Sequence, residues 1–172
     1  MNLDEAIRMA ISYEARVHKT YLDAMQQATD EAGKRFFQTL CEEEMSHLEY
    51  LRARLDEWQA TGKVSVARLG TSIPARDAVE AGIERLRQKV AEAPDARLRA
   101  EIELLKQALA AEVETSNFYK EMVATLDADG RRLFERFVEI EEGHLAIVQA
   151  ELDLVTGSGV WFDMKEINLE MG

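Results

Sequence analysis

LCEEEMSHLEYL (residues 40–51) and FVEIEEGHLAIV (residues 137–148) are one pattern written twice. In each, apolar residues recur at helical spacing, Leu40, Leu48 and Leu51 in the first and Phe137, Leu145 and Val148 in the second. A glutamate and a histidine three residues apart stand between them: Glu44 with His47, and Glu141 with His144. Residues three apart lie about 300° round a helix, on adjacent rows of one face, so both side chains can reach a shared point. The same shift of 97 or 98 residues superposes Glu14 on Glu112, Tyr21 on Tyr119, Gly33 on Gly130 and Phe37 on Phe134. The chain therefore reads as a duplicated hairpin.

Outward from these motifs the helices follow from periodicity. Leu3, Ile7, Ile11, Val17, Tyr21 and Met25 form a first stripe, and Phe37, Leu40, Leu48, Leu51, Leu55 and Trp58 a second. Thr29 and Asp30 are capping residues between them, and the second helix runs out at Thr61-Gly62. Leu98, Ile102, Leu105, Leu109, Tyr119, Met122 and Leu126 predict a third helix. Phe134, Phe137, Leu145, Val148, Leu152 and Val155 predict a fourth, after a break at 127–130. Between the pairs, Gly62, Gly70, Pro74 and Pro94 bound a crossover in which Val79, Ile83, Leu86 and Val90 mark a shorter amphipathic helix. The expected fold is all-α: a four-helix bundle in one domain of 172 residues, made of two antiparallel hairpins (about 3–61 and 95–156) joined by a crossover (about 62–94) containing a short helix. The tail, 157–172, carries Val160, Trp161, Phe162, Met164, Ile167 and Leu169, too apolar for a free terminus. It is expected to dock on the bundle or on a partner subunit. A homo-oligomer is expected, and a dimer that exchanged hairpins would keep the same inward residues.

Composition excludes several functions. Apolar residues at 47% and charged residues at 31% describe a soluble globular chain. With 33 acids against 21 bases the formal charge is −12, with no basic footprint for nucleic acid. No run approaches the roughly 18 apolar residues of a membrane span. The start, Met1-Asn2-Leu3-Asp4-Glu5, is acidic and lacks a signal-peptide core, so a cytoplasmic location is expected. Cys41 is the single cysteine and can form neither an internal disulfide nor a CxxC metal knuckle.

The charges that stand out are those on the apolar stripes. Glu14 lies three residues past Ile11 and seven before Tyr21, and Glu112 three past Leu109 and seven before Tyr119. With Glu44, His47, Glu141 and His144 they make six ionisable side chains aimed at the core. Burying an unpaired carboxylate costs several kcal/mol, and four together repel one another. No lysine or arginine stands on these stripes nearby, so neutralisation must come from protons or from bound cations. Two divalent ions cancel four carboxylates, and neutral imidazoles add nitrogen ligands without adding charge.

A glutamate from each of two helices and a Glu-x-x-His from each of the other two is the arrangement of ferritin-like di-iron and di-manganese proteins. With Tyr21 and Tyr119 seven residues after the first glutamate of each hairpin, the pattern over roughly residues 3–156 resembles the di-iron domain of rubrerythrins. The resemblance implies a ferritin-like fold and two iron ions. In it Glu14 and Glu112 are terminal carboxylates, Glu44 and Glu141 bridging ones, and His47 and His144 nitrogen ligands. Tyr21 and Tyr119 are hydrogen-bond donors to carboxylates. The implied activity is peroxidase-type oxidoreductase chemistry, the reduction of hydrogen peroxide with electrons from an external donor. Ligand softness alone also permits manganese or zinc. A ferroxidase or iron-storage protein using dioxygen, and a structural helical module interacting through its tail, are the alternatives. Two departures stand out: the four-cysteine rubredoxin-like domain of full-length rubrerythrins has no counterpart here, and Thr115 occupies a position where the family often has a further glutamate.

Other residues have plainer readings. His18, one turn after Glu14, matches Ser116 in the repeat and is expected to pack in the core or at the rim rather than in the site. Cys41 is expected to be a small buried hydrophobe. Glu42, Glu43 and Glu142 are expected to face solvent. Glu114 points about 200° away from Glu112 and does not substitute for it. Ser46 and Gly143, each preceding a histidine, suggest close helix packing.

Overall fold

The computed structural model describes residues 1–65 and 67–162. Five α-helices are seen in them: α1 (Leu3–Gln27), α2 (Glu31–Thr61), α3 (Arg76–Arg87), α4 (Arg99–Thr125) and α5 (Ala128–Ser158), with a 3₁₀ turn at Ala96–Leu98 before α4. Their ends follow from local chemistry. Asn2 and Glu5 form a reciprocal capping box at the start of α1. Asp30 caps α2 by accepting from the amides of Ala32 and Gly33, and Asp127 caps α5 by accepting from Gly130. α2 and α5 both end on a glycine in the left-handed region, Gly62 and Gly159, each with φ of 67°. The duplication thus reaches the caps, since Asp30 matches Asp127 and Gly62 matches Gly159.

Three boundaries differ from the sequence reading. α5 runs through Gly157 and Ser158, so the tail starts two residues later, at its glycine cap. Gly130 lies inside α5, because Asp127 rather than the glycine makes the break. α3 ends at Arg87, leaving Val90 outside it.

α1 packs against α2, α4 against α5, and α1 against α4, while α3 lies along α5. At one end of the bundle, Glu101 near the start of α4 binds the α1–α2 turn at Thr29 and Asp30. At the other, Gln59 near the end of α2 reaches Asp4 at the start of α1. The crossover must therefore run the length of the bundle. It is fastened on the way by Arg136 to the carbonyl of Leu69 and by the Ala93 amide to the carbonyl of Gly157. The apolar interior is two clusters rather than one: Tyr21, Phe37, Leu40, Leu105 and Val148 belong to the first, Ile7, Leu51, Tyr119, Phe134 and Phe137 to the second. The six inward ionisable residues fall between them along α1, α2, α4 and α5.

The tail docks as far as it is described. Trp161 and Phe162 are buried against Phe36, and Trp161 also against Phe37, while Gly33 gives the indole its room. A Cβ on Gly33 would stand 2.9 Å from the Trp161 ring. Met164, Ile167 and Leu169 lie outside the described residues. No described helix is long and apolar enough to cross a membrane.

Candidate metal centre

Glu14 from α1, Glu44 and His47 from α2, Glu112 from α4, and Glu141 and His144 from α5 meet in one layer, each with no solvent exposure. Ligand atoms of Glu14, Glu44, His47 and Glu141 all lie within 4.8 Å of one another, and so do those of Glu44, Glu112, Glu141 and His144. The two sets share Glu44 and Glu141. Each could hold one ion, with the shared carboxylates between the two.

The imidazoles face inward through Nδ1. His47 Nδ1 is 3.2 Å from Glu14 Oε2 and 3.3 Å from Glu44 Oε2, and His144 Nδ1 is 2.9 Å from Glu44 Oε1 and 3.6 Å from Glu112 Oε1. The rings stack on each other, with centroids 5.3 Å apart. The Tyr21 hydroxyl donates to Glu112 Oε1 and the Tyr119 hydroxyl to Glu14 Oε1, each reaching across to the other hairpin. Both oxygens of Glu44 and of Glu141, with Oε2 of Glu112, have no hydrogen-bond partner. Buried carboxylates are rarely left so, and acceptor atoms that converge without donors suit cations.

The electrostatics divide the four glutamates in the same way. Burial, and then the charge of Glu14, raise Glu44 to about 7. Burial and the neighbouring Glu112, Glu14 and Glu44 raise Glu141 well above the carboxylate range. Burial also opposes ionisation of Glu14, but His47 and hydrogen bonds that include Tyr119 outweigh it and bring the group down to about 2. Glu112 is likewise lowered against its burial by His144, with Tyr21 contributing. Burial disfavours charged imidazoles, yet Glu44 and Glu14 raise His47 to about 10, and Glu112, Glu43 and Glu44 raise His144 well above its usual value. The two shared carboxylates are those pushed toward the neutral form, as expected where most negative charge converges. Without metal, protons do the neutralising that cations would otherwise do.

Sequence reasoning misplaced two residues of this region, Glu43 and Ser46. Glu43 does not face solvent. It is 8% exposed, and its carboxylate accepts from the Thr71 hydroxyl (2.7 Å), the Ser72 amide (2.7 Å) and the Ser72 hydroxyl (2.6 Å). The cover is supplied by the crossover, which a helical period cannot foresee. Glu142 is half-buried and pairs at 3.8 Å with both Arg76 and Lys120, while Glu42 is exposed as expected. Ser46 is exposed, so no packing requirement acts there. Gly143 is buried against the crossover, where an added Cβ would stand 2.7 Å from the carbonyl oxygen of Pro74. His18 is half-buried and belongs to neither four-residue set, Cys41 is buried, and Glu114 faces out toward Arg16. Thr115 is buried and its hydroxyl donates to the carbonyl of Ala111.

A surface cavity of 390 Å³ lies between the crossover and α5, lined by Arg68, Pro74, Arg76 and Arg136 among others, and by none of the six. Searches of curated proteins and of solved structures give no significant match. Residues 1–55, which carry Glu14, Tyr21, Glu44 and His47, match the family model described as Rubrerythrin, and the all-helical bundle built on that hairpin is consistent with a ferritin-like domain of that family.

Proposed function

We propose that this protein is a dinuclear iron protein of the rubrerythrin type that reduces hydrogen peroxide, with Glu14, Glu44, His47, Glu112, Glu141 and His144 as its metal ligands. The carrying observation is the pair of overlapping four-residue sets that share Glu44 and Glu141. The unpartnered oxygens of those two residues fit a site built for cations. Held by these six residues, a reduced iron pair would supply the two electrons that, with two protons, convert one peroxide to two waters. The chain's own residues then have distinct tasks. Tyr21 and Tyr119 each hold one oxygen of a terminal carboxylate, which fixes its orientation. The two apolar clusters on either side exclude water and keep the local dielectric low. All six are fully buried, which suits a substrate as small as peroxide. The single cysteine of these 172 residues cannot form a four-cysteine electron-transfer centre, so this reading takes its electrons from a donor outside them.

Anaerobic loading with ferrous ion is expected to give two irons per chain, and a Glu44→Ala, Glu141→Ala double variant is expected to bind fewer. Equal iron in both proteins refutes the ligand assignment. The diferrous protein is then mixed with stoichiometric peroxide or with dioxygen, and ferric absorption is followed through a single turnover. Faster oxidation by peroxide is the expected outcome. Faster oxidation by dioxygen, with iron accumulating beyond two per chain, moves the assignment to a ferroxidase or storage role.

A further inference from the structure

The two halves of the cluster are not equivalent. The shift that places Glu44 on Glu141 places Glu43 on Ile140, so one half has a second carboxylate where the other has a buried aliphatic side chain. Glu43 Oε2 lies 3.6 Å from Nε2 of His144, on the side of the ring away from the cluster. That is an electrostatic contact rather than a formed hydrogen bond. His47 is held less closely: its Nε2, like that of His144, has no hydrogen-bond partner, Glu43 comes within 4.8 Å of its ring without the 3.6 Å contact that it makes to His144, and the ring meets Phe137 edge-on at 5.7 Å. Glu43 is itself held firmly. Thr71 and Ser72 give it three hydrogen bonds, and the crossover that carries them presses on α5 at Gly143, next to His144.

Resting on the dinuclear reading above, we propose that Glu43 is a positioning residue for His144 and makes the His144 half the tighter of two unequal metal positions, so that divalent ions load in order. A carboxylate behind Nε2 favours the tautomer with its proton there and leaves the Nδ1 lone pair to the cluster. It also fixes the ring against rotation. Carboxylates that support a ligating histidine in this way change metal affinity by about 10–100-fold. His47 has no carboxylate as close behind its Nε2, so its half fills second. The crossover then has a role beyond joining two hairpins, because its Thr71-Ser72 pair sets the position of one ligand.

The test is stepwise titration of the full-length apo protein with Co²⁺, read by calorimetry and by cobalt absorption, alongside Glu43→Ile, Glu43→Gln and Thr71→Val. Isoleucine repeats the residue that the other half already carries at this place. Wild type is expected to show two steps whose affinities differ by about 10–100-fold. Glu43→Ile is expected to weaken the first step until the two merge, with the second unchanged. Glu43→Gln, which keeps an acceptor oxygen, is expected to stand between them. Thr71→Val removes one clamp bond and leaves the carboxylate, so it keeps the test available if Glu43→Ile does not fold, with a smaller weakening of the first step expected. A general loosening of the protein would weaken both steps together, and that result overturns the proposal. Unchanged affinities in a folded Glu43→Ile, or in Thr71→Val where it alone folds, overturn it as well. Wild type binding fewer than two Co²⁺ overturns the dinuclear reading, and this one with it.

Discussion

Two glycines of α5 separate backbone freedom from steric need at the scale of single residues. Gly143 and Gly157 both have helical backbone, and in a helix interior glycine costs about 0.5–1 kcal/mol relative to alanine. Propensity alone would make either one improvable. A Cβ on Gly157 meets nothing within 4 Å, whereas on Gly143 it would stand 2.7 Å from the Pro74 carbonyl oxygen, and this neighbour is backbone, which cannot swing aside. Overpacking of that kind costs about 1–3 kcal/mol. Gly157→Ala is therefore expected to stabilise the protein by up to about 1 kcal/mol, and Gly143→Ala to destabilise it by up to about 2 kcal/mol after the propensity gain is subtracted. Chemical denaturation of the two variants beside wild type checks both signs. A Gly143→Ala as stable as Gly157→Ala would mean that the crossover does not press on α5.

At the scale of elements, the joint between the hairpins rests on Glu101, at the start of α4, and its contacts with the turn ahead of α2. Glu101 has no solvent exposure, and its Oε1 accepts from the Thr29 amide (2.8 Å), the Thr29 hydroxyl (2.6 Å) and the Asp30 amide (3.3 Å). Burial raises its pKa, but those donors outweigh burial and leave it below the usual carboxylate value. The folded state thus binds this proton less readily than the unfolded chain, whose glutamates titrate near about 4.3. Its contribution is fully present above that pH and is lost as pH falls through the lower folded value. Glu101→Gln keeps the shape and loses the charge, and is expected to cost about 1–2 kcal/mol at neutral pH, as hydrogen bonds to a charged group are stronger. The gap in melting temperature between wild type and variant is expected to stay constant from pH 8 to about pH 5 and to narrow below about pH 4. A gap that widened toward acid would contradict the assignment. The helices themselves, the Asp30 cap and the six inward side chains were legible in the sequence because each depends on the 3.6-residue period or on a residue's immediate neighbours. Glu43 and Glu101 were not. Both carboxylates are covered by a segment distant in sequence, Thr71-Ser72 for one and Thr29-Asp30 for the other, and no period within a helix encodes such a partner. Tyr21 and Tyr119 lie on the boundary: their inward direction follows from spacing, but that each serves a glutamate of the opposite hairpin follows only from the packing of α1 on α4.

For the whole molecule, the polar layer between two apolar clusters sets a conflict between folding and function. A bundle whose core ran uninterrupted would be more stable, because burying four carboxylates and two imidazoles gives up apolar contacts and carries a desolvation penalty. Protons on Glu44 and Glu141 and on the imidazoles relieve only part of it. Unpartnered oxygens persist on both shared glutamates, and Tyr21 and Tyr119, pushed up in pKa by burial and by these carboxylates, stay neutral donors that relieve one oxygen each of Glu112 and Glu14. Divalent ions that bind the native layer and not the unfolded chain must raise stability by mass action, by about 2.7 kcal/mol per site at a free concentration one hundred times the dissociation constant. For a chain of this size each kcal/mol moves the melting temperature by about 2–4 °C, so one filled site is expected to raise it by about 5–10 °C. Excess chelator should reverse the change. The measurement is a thermal melt followed by far-ultraviolet circular dichroism, made anaerobically with ferrous ion and repeated with Mn²⁺. The same additions to the Glu44→Ala, Glu141→Ala variant should give a much smaller rise, although its apo form is expected to melt higher than apo wild type because two of the four crowded carboxylates are gone. That inversion separates a functional layer from a structural one. If the six side chains served stability alone, removing two of them would lower the melting temperature with or without metal.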